Sequence, residues 1–298
     1  MFRASKLWNI LGSTLFSNTE NLDLSHFREP ENSICNRLAS WSPYDSETYR
    51  YYKTIMFNLA LTMPEKFFDY YKMIGNTAIG NPIQVRVDGV NINWDYMLSV
   101  QEIMFCDDIL KHIHIIAEIG AGYGRTCHAI LKNFDRLIHY VIIDLPPCLK
   151  LSQRYLKKVL EPKEFQKVEF IDASCLQKRK GKIDLFINID SMAEMDIDVA
   201  KNYLHFIDQN SSYFYSCNPI GKYQPKMIGL QTFDEKLLNN ILSLGLCRDI
   251  IDIFDSESLK KARKNYLLAY KPSNRWEMIK SAISLPIQYY HHALFHCS

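Results

Sequence analysis

The sequence predicts an α/β protein built on a mostly parallel sheet with helices on both faces. Three observations predict it. From residue 113 onward, short β-rich runs alternate with helical segments, the rhythm of a parallel sheet with right-handed crossovers. The first of these runs ends in a glycine-rich turn that opens a helix. A length of 298 residues accommodates one large α/β domain, or such a core with a smaller appendage.

The elements follow in order. Tyr44 to Met73 is dense in Tyr, Phe, Met and Leu at helical spacings, is broken by Pro64, and predicts two packed helices. Alternating apolar residues on either side of Asp88-Gly89, from Ile83 to Ile92, predict a β-hairpin. A helix from Trp94 to Leu110 leads into the core. Strands are then expected at Ile113–Ile119, Ile138–Ile143, Lys167–Ile171, Ile183–Ile189 and Ser212–Ser216. The helices between them run to Phe134, from about Leu149 to Leu160, and near Met195 to Ile207. A further helix is expected at Asp234–Leu244. The runs Cys247–Phe254 and Asn265–Tyr270, joined by a charged connection, are expected to form an antiparallel pair at one edge of the sheet.

Bulk properties exclude several classes. Hydrophobic residues at 47% and charged residues at 23% describe an ordinary globular chain, and a net charge of +2 is too small to imply nucleic acid. The basic clusters Lys178–Lys180 and Lys260–Lys264 read as solvated surface. No two of the eight cysteines have C-x-x-C spacing, which favours reduced thiols over a disulfide framework or zinc site. The N-terminal residues lack a sustained apolar stretch, so no signal peptide is expected and the reading is cytoplasmic. No stretch approaches 18 apolar residues, so no membrane span is expected. The aromatic, histidine-rich segment Tyr289–His296 is expected to dock on the protein in preference to a membrane surface.

The glycine turn carries the chemistry. Glu118-Ile119-Gly120-Ala121-Gly122-Tyr123-Gly124 sits between strand and helix, at the carboxyl end of a sheet strand where open α/β folds bind ligands. A dinucleotide fingerprint would need a third glycine at position 125, and that residue is Arg125. An acid two residues before the first glycine suits a ligand with a cationic amino-acid end. S-adenosylmethionine is therefore the expected cofactor, with Glu118, Gly120, Ala121, Gly122 and Gly124 cradling it; a purely structural turn is the alternative. Asp144 and Leu145 end the second strand, and a carboxylate there can accept from both ribose hydroxyls. The alternative for Asp144 is a turn or cap acid before Pro146-Pro147. Asp172 and Ala173 end the third strand and could hold the adenine amino group, or Asp172 could simply cap a turn.

The fourth strand ends in Asp190-Ser191-Met192-Ala193-Glu194. Methyl transfer to a hydroxyl needs in-line positioning and a proton acceptor, and Asp190 and Glu194 are the candidate catalytic acids, with Asp190 also facing the donor. Glu194 could instead be an ordinary first-turn helix acid. His128 is expected to be packed, and His205 is a weaker candidate. Tyr123, Arg125 and Asn218 are the candidate substrate contacts, with Asn218 in a loop before Pro219. Magnesium could be held by Asp190 and Glu194, but no third acid is placed to join them, so no metal site is assigned.

These blocks resemble a family. Glu118 to Arg125, Tyr140-Val141-Ile142-Ile143-Asp144-Leu145-Pro146-Pro147, Ser152 to Leu156, Asp190 to Met195 and the Asn218 loop are similar to the sugar O-methyltransferases of bacterial polysaccharide gene clusters. The resemblance spans about residues 113 to 220. It implies a Rossmann-like class I methyltransferase core, a mostly parallel seven-stranded sheet with an antiparallel edge hairpin, preceded by a helical region with a small β-hairpin. Three parts are expected: 1–110, a helical acceptor or lid region in which Tyr44, Tyr51, Tyr52, Arg86 and Trp94 face the acceptor or form core; 111–275, the S-adenosylmethionine-binding core; and 276–298, a C-terminal tail. The implied partner is a sugar, nucleotide-sugar or glycan acceptor of capsule or lipopolysaccharide synthesis, with a homodimer left open. A small metabolite or phosphate-type oxygen as acceptor, or a non-catalytic partner in a polysaccharide-assembly complex, are the alternatives.

Overall fold

The computed structural model describes residues 1–30, 32, 48–229 and 234–297. Expectations placed on Tyr44 and Cys35 lie outside the described residues. Two compact units divide the chain: Met1–Leu11, Ile115–Gly120 and Ile171–Ser298 form one, and Gly12–His114 with Ala121–Phe170 form the other. Among the described residues, no helix is long and apolar enough to cross a membrane.

The second unit carries the helical region. Helices α2 (Tyr49–Leu61) and α3 (Glu65–Ile74) are separated at Pro64, as the sequence predicts, because proline cannot continue a helix from within. Strands β1 (Gln84–Val87) and β2 (Val90–Asn93) pair antiparallel around Asp88 and Gly89, both left-handed with φ of 48° and 79°. Two successive left-handed residues make the tight turn whose twist matches the flanking strands. Helix α4 (Trp94–Leu110) follows, capped by the Asn93 side chain, which accepts from the Tyr96 N–H at 3.2 Å. This helix is buried on nearly every side, and each of its three buried acids has a cation or hydroxyl partner. The unit also holds α5 (Arg125–Asn133), β4 (His139–Asp144), α6 (Pro146–Val159) and α7 (Pro162–Phe165). Helix α6 starts three residues earlier than expected, since Pro146 and Pro147 occupy first-turn positions that need no N–H donor.

The first unit holds α1 (Lys6–Ser13) as far as Leu11, β3 (Ile115–Ile119), β6 (Ile183–Ile189), α8 (Ile197–Asn210), β7 (Ser211–Pro219), α9 (Glu235–Ser243), α10 (Ser256–Ala269), β8 (Trp276–Ile283) and β9 (Tyr290–Cys297). With β5 (Val168–Asp172), the strands form one seven-stranded sheet in the order β5-β4-β3-β6-β7-β9-β8. β3, β6 and β7 run parallel, while β9 is antiparallel to both β7 and β8. This is a mostly parallel, Rossmann-like α/β arrangement with an antiparallel pair at one edge.

The edge pair is made by other residues than expected. Asn265–Tyr270 is not a strand: it is the end of helix α10 and the residue after it. Leu259, Ala262, Tyr266 and Tyr270 are buried at helical spacing, and Asp255 caps the helix by accepting from Glu257 and Ser258 N–H groups. Cys247–Phe254 makes only one isolated bridge, Lys222 to Ile250, and then turns at Asp252. The position beside β7 belongs to β9, whose His291, His292, Ala293, Leu294 and Phe295 are all buried, as befits a strand covered on both faces. The aromatic segment thus docks as sheet. On β8, Trp276 is fully buried and donates from Nε1 to Asp208 Oδ1 at 2.7 Å. Trp276→Ala should destabilise the chain by about 3–5 kcal/mol in urea denaturation, the usual cost of emptying so large a buried site; a loss below about 1 kcal/mol would show that β8 contributes little.

Candidate functional site

The glycine turn begins where β3 ends. Glu118 is buried within β3, in register with Ile187 of β6. Gly120, Gly122 and Gly124 all have positive φ, at 75°, 58° and 95°. Gly120 has a second reason to be glycine: a Cβ there would lie 2.2 Å from Ser191 Oγ. That hydroxyl cannot easily withdraw, because it donates to the Ile119 carbonyl at 2.9 Å and accepts from Asn188 Nδ2 at 2.6 Å. Asn188 Nδ2 also reaches the Ile119 carbonyl, at 2.9 Å. The carboxyl end of β6 therefore clamps the end of β3 through one amide and one hydroxyl.

The chain passes into the second unit at Ala121. There the Gly124 N–H closes the turn on the Ala121 carbonyl at 2.9 Å, and Gly124 precedes α5. Tyr123 and Arg125, expected to meet substrate, are held inside this unit. Tyr123 is buried, and its hydroxyl donates to Asp95 Oδ2 at 2.7 Å. Arg125 forks onto Glu102 at 2.9 and 2.8 Å and donates to Ser99 Oγ at 2.7 Å. The side chain at the missing third glycine thus ties α5 to α4. Asp95 also receives Nε of Arg28 at 3.0 Å, and Arg28 further donates to the Thr77 and Ile79 carbonyls and to Asn93 Oδ1. Burial works against the Arg28 charge, yet Tyr123 and Asp95 hold its pKa well above the ordinary value. Arg28 lies in an irregular segment with no periodic pattern to mark it, and the sequence reading did not find it. His128 is packed, as expected: burial pushes it down to about 3, and Nδ1 meets the Tyr96 hydroxyl at 2.6 Å. His205 is exposed and bonded to Gln209.

Asp144 ends β4 and faces the turn. Its two oxygens accept from the Gly122 N–H at 3.0 Å and the Leu145 N–H at 2.7 Å. Burial pushes its carboxyl up from 3.8 to about 7, against the pull of those donors. Asp172 takes the capping role, accepting from the Ser174 N–H at 2.8 Å and hydroxyl at 2.7 Å, with Ala173 buried beside it.

In the first unit, Asp190 is forced to φ 62°, a left-handed conformation unusual outside glycine, and its N–H donates to the Cys217 carbonyl at 3.0 Å. Glu194 ends the short turn Ser191–Glu194 and accepts from Trp8 Nε1 at 2.8 Å. Trp8 is a partner that sequence reasoning missed, since 186 residues separate the two. Asn218 is not in a loop: it lies inside β7, fully buried, with Nδ2 facing Asn188 Oδ1 at 2.8 Å and Ser216 Oγ at 3.0 Å. The structure thus joins Asn218, Asn188, Ser191 and the Ile119 carbonyl in one network. Among the described residues, no group of three or more His, Cys, Asp or Glu side chains is placed to hold a metal ion.

Two outcomes follow from this geometry. Gly120→Ala should cost at least about 2 kcal/mol in chemical denaturation, from left-handed strain and overpacking together. Adding Ser191→Gly should restore part of it; no recovery would place the cost elsewhere. For Asp144, the folded pKa is raised, so the native state keeps a proton that the unfolded chain releases between pH 3.8 and about 7. Its stabilising contribution is complete near pH 3.8 and is lost as pH rises toward 7. The stability of Asp144→Asn relative to wild type should therefore climb across that window and level off above it; a difference independent of pH would overturn the assignment.

No protein-family model matches the chain, and no curated protein matches its sequence. Among solved structures, the methyltransferase domain of bacterial CtHen1 is similar at 10% identity, covering 68% of this chain and 98% of that one, with a TM-score of 0.49. The mitomycin 7-O-methyltransferase MmcR is similar at 12% identity over 95% of this chain and 75% of its own, with a TM-score of 0.45. The O-methyltransferase NcsB1 from neocarzinostatin biosynthesis, solved with S-adenosylmethionine and 2-hydroxy-5-methyl naphthoic acid, is similar at 11% identity over 68% of this chain and 56% of its own, with a TM-score of 0.42. At such distances the strand order of this chain, and not these likenesses, carries the fold assignment.

Proposed function

We propose that the chain is an S-adenosylmethionine-dependent O-methyltransferase whose acceptor is a sugar hydroxyl of a capsule, lipopolysaccharide or related glycan. The observation that carries the reading is Asp144: an acid at the end of the strand after the glycine turn, fixed by the Gly122 and Leu145 N–H groups. Such a carboxylate suits a ribose diol, and the glycines leave backbone open to a ligand. Arg125, committed to Glu102, removes the third glycine that a dinucleotide site would need. In this reading Glu118, Gly120, Ala121, Gly122 and Gly124 hold the amino-acid end, Asp144 and Leu145 the ribose, and Asp172 and Ala173 the adenine. Bound S-adenosylmethionine supplies an electrophilic methyl group.

The acceptor hydroxyl needs a proton acceptor, and Asp190 and Glu194 are the two acids at the end of β6. Trp8 orients Glu194, and the backbone of Asp190 is pinned to β7. The sugar assignment rests on the similarity of the glycine, Asp-Leu-Pro-Pro and Ser-Met-x-Glu-Met blocks to sugar O-methyltransferases. Calorimetry with S-adenosylhomocysteine should show binding, and Asp144→Ala should weaken it at least about tenfold, the loss expected for a charge-assisted pair of hydrogen bonds. Wild-type affinity in that variant would remove Asp144 from the site.

A further inference from the structure

Helix α10 presents to solvent a face that the fold does not use. Leu259, Ala262 and Tyr266 share one side of the helix, and all three are buried. At about 3.6 residues per turn, Glu257, Lys261, Lys264 and Leu268 fall within about 40° of a single line on the opposite side, with Lys260 about 60° from it. All five are exposed. The stripe runs along a helix of 14 residues, about 21 Å long.

Its cations are unpaired. Among the described residues, Lys260, Lys261 and Lys264 have no hydrogen-bond or ion-pair partner. Arg263, the remaining cation of the run, turns aside and donates to Gln288 Oε1 at 3.1 Å. Glu257 is the only acid in the helix, so the stripe carries net positive charge. The acids just before it aim their oxygens at backbone. Asp252 accepts from the Phe254 N–H at 2.9 Å, and Asp255 from the Glu257 and Ser258 N–H groups at 3.1 and 3.2 Å.

Charge alone describes a solvated face, but apolar side chains distinguish this one. Leu268 lies in line with Lys261 and Lys264 and is 75% exposed. Phe254, two residues before the helix, is also 75% exposed. Left in water to that extent, both forgo most of the stabilisation that burial gives such side chains. A partner for this surface must be anionic and must also take up large apolar side chains. A nucleic-acid backbone supplies the first and not the second. A bilayer surface with anionic headgroups supplies both: its phosphates meet ammonium groups, and the boundary beneath them receives Phe and Leu. A convex helix lies along such a surface without needing a groove.

We propose that the outer face of α10, with Phe254 and Leu268, binds an anionic lipid surface. The contact is peripheral, lies outside the residues of the O-methyltransferase reading, and goes beyond that reading.

The test is co-sedimentation of the full chain with vesicles of phosphatidylcholine alone, and of phosphatidylcholine mixed with phosphatidylglycerol. Wild type should bind the mixed vesicles at least about tenfold more tightly than the neutral ones, and added salt should weaken that binding. The triple variant Lys260→Gln, Lys261→Gln, Lys264→Gln should lose at least about tenfold in affinity for the mixed vesicles. The double variant Phe254→Asn, Leu268→Asn should lose at least about threefold. Every change is at an exposed position, so thermal midpoints should stay near that of wild type. Glu257→Lys should bind about tenfold more tightly at an unchanged midpoint. Should a loss variant unfold, this gain decides alone, and its absence overturns the proposal. No sedimentation with mixed vesicles, equal sedimentation with neutral ones, or affinity unchanged in either multiple variant overturns it as well. So does tighter binding to a mixed-sequence DNA duplex than to mixed vesicles, since the stripe would then be a nucleic-acid contact.

Discussion

The organisation of the second unit depends on keeping one charge out of water at Arg28. A guanidinium buried this deeply is tolerated only when its donors are satisfied, and both side chains that satisfy it have another task. Asn93 caps α4 while accepting from Arg28. Asp95 begins α4 while receiving both Arg28 and the Tyr123 hydroxyl. The tyrosine between two turn glycines is thereby tied to a helix start and to a segment some hundred residues earlier in the chain. Breaking such a buried pair from one side typically costs about 3–5 kcal/mol, because the remaining charge stays uncompensated. The turn inherits its rigidity from that penalty.

The first unit secures its share of the turn by other means. Asn188, Ser191 and Asn218 form a chain of neutral donors and acceptors at the carboxyl ends of β6 and β7. Amides and hydroxyls bind without adding net charge, so the charge near Asp190 and Glu194 is left to those acids. In the proposed O-methyl transfer, a hydroxyl giving up its proton to one of those acids would gain from that separation.

Sequence patterns revealed what is local. Asp88-Gly89 and Pro64 each act within a few residues, and each is where its chemistry requires. The glycine turn and Asp144 were legible for the same reason. Partners brought in from far along the chain were not. Nothing near Arg28 announces burial, and nothing near Trp8 announces Glu194. Tyr123 and Arg125 look like ligand contacts beside the turn and prove to be anchors, because α4 supplies acids that the motif alone does not reveal. The Asn265–Tyr270 run is rich in residues that favour strands, and only the helical spacing that begins at Leu259 shows that it continues α10. Asn218 was placed in a loop because proline follows it, whereas the strand runs on to Pro219 beside β9.

The placement of β9 has a consequence for how the molecule is made. It lies between β7 and β8, yet it follows both in the chain. On a ribosome, β7 emerges with one flank bare and β8 emerges with no neighbour to pair with, and both wait for residues 290–297. Until then the nascent chain presents an open strand edge with Phe214 and Tyr215 on it, the kind of surface that chaperones cover and other chains capture. Closure of the sheet thus waits on β9, and the histidine-rich strand that completes it also sets His291 opposite Asn218.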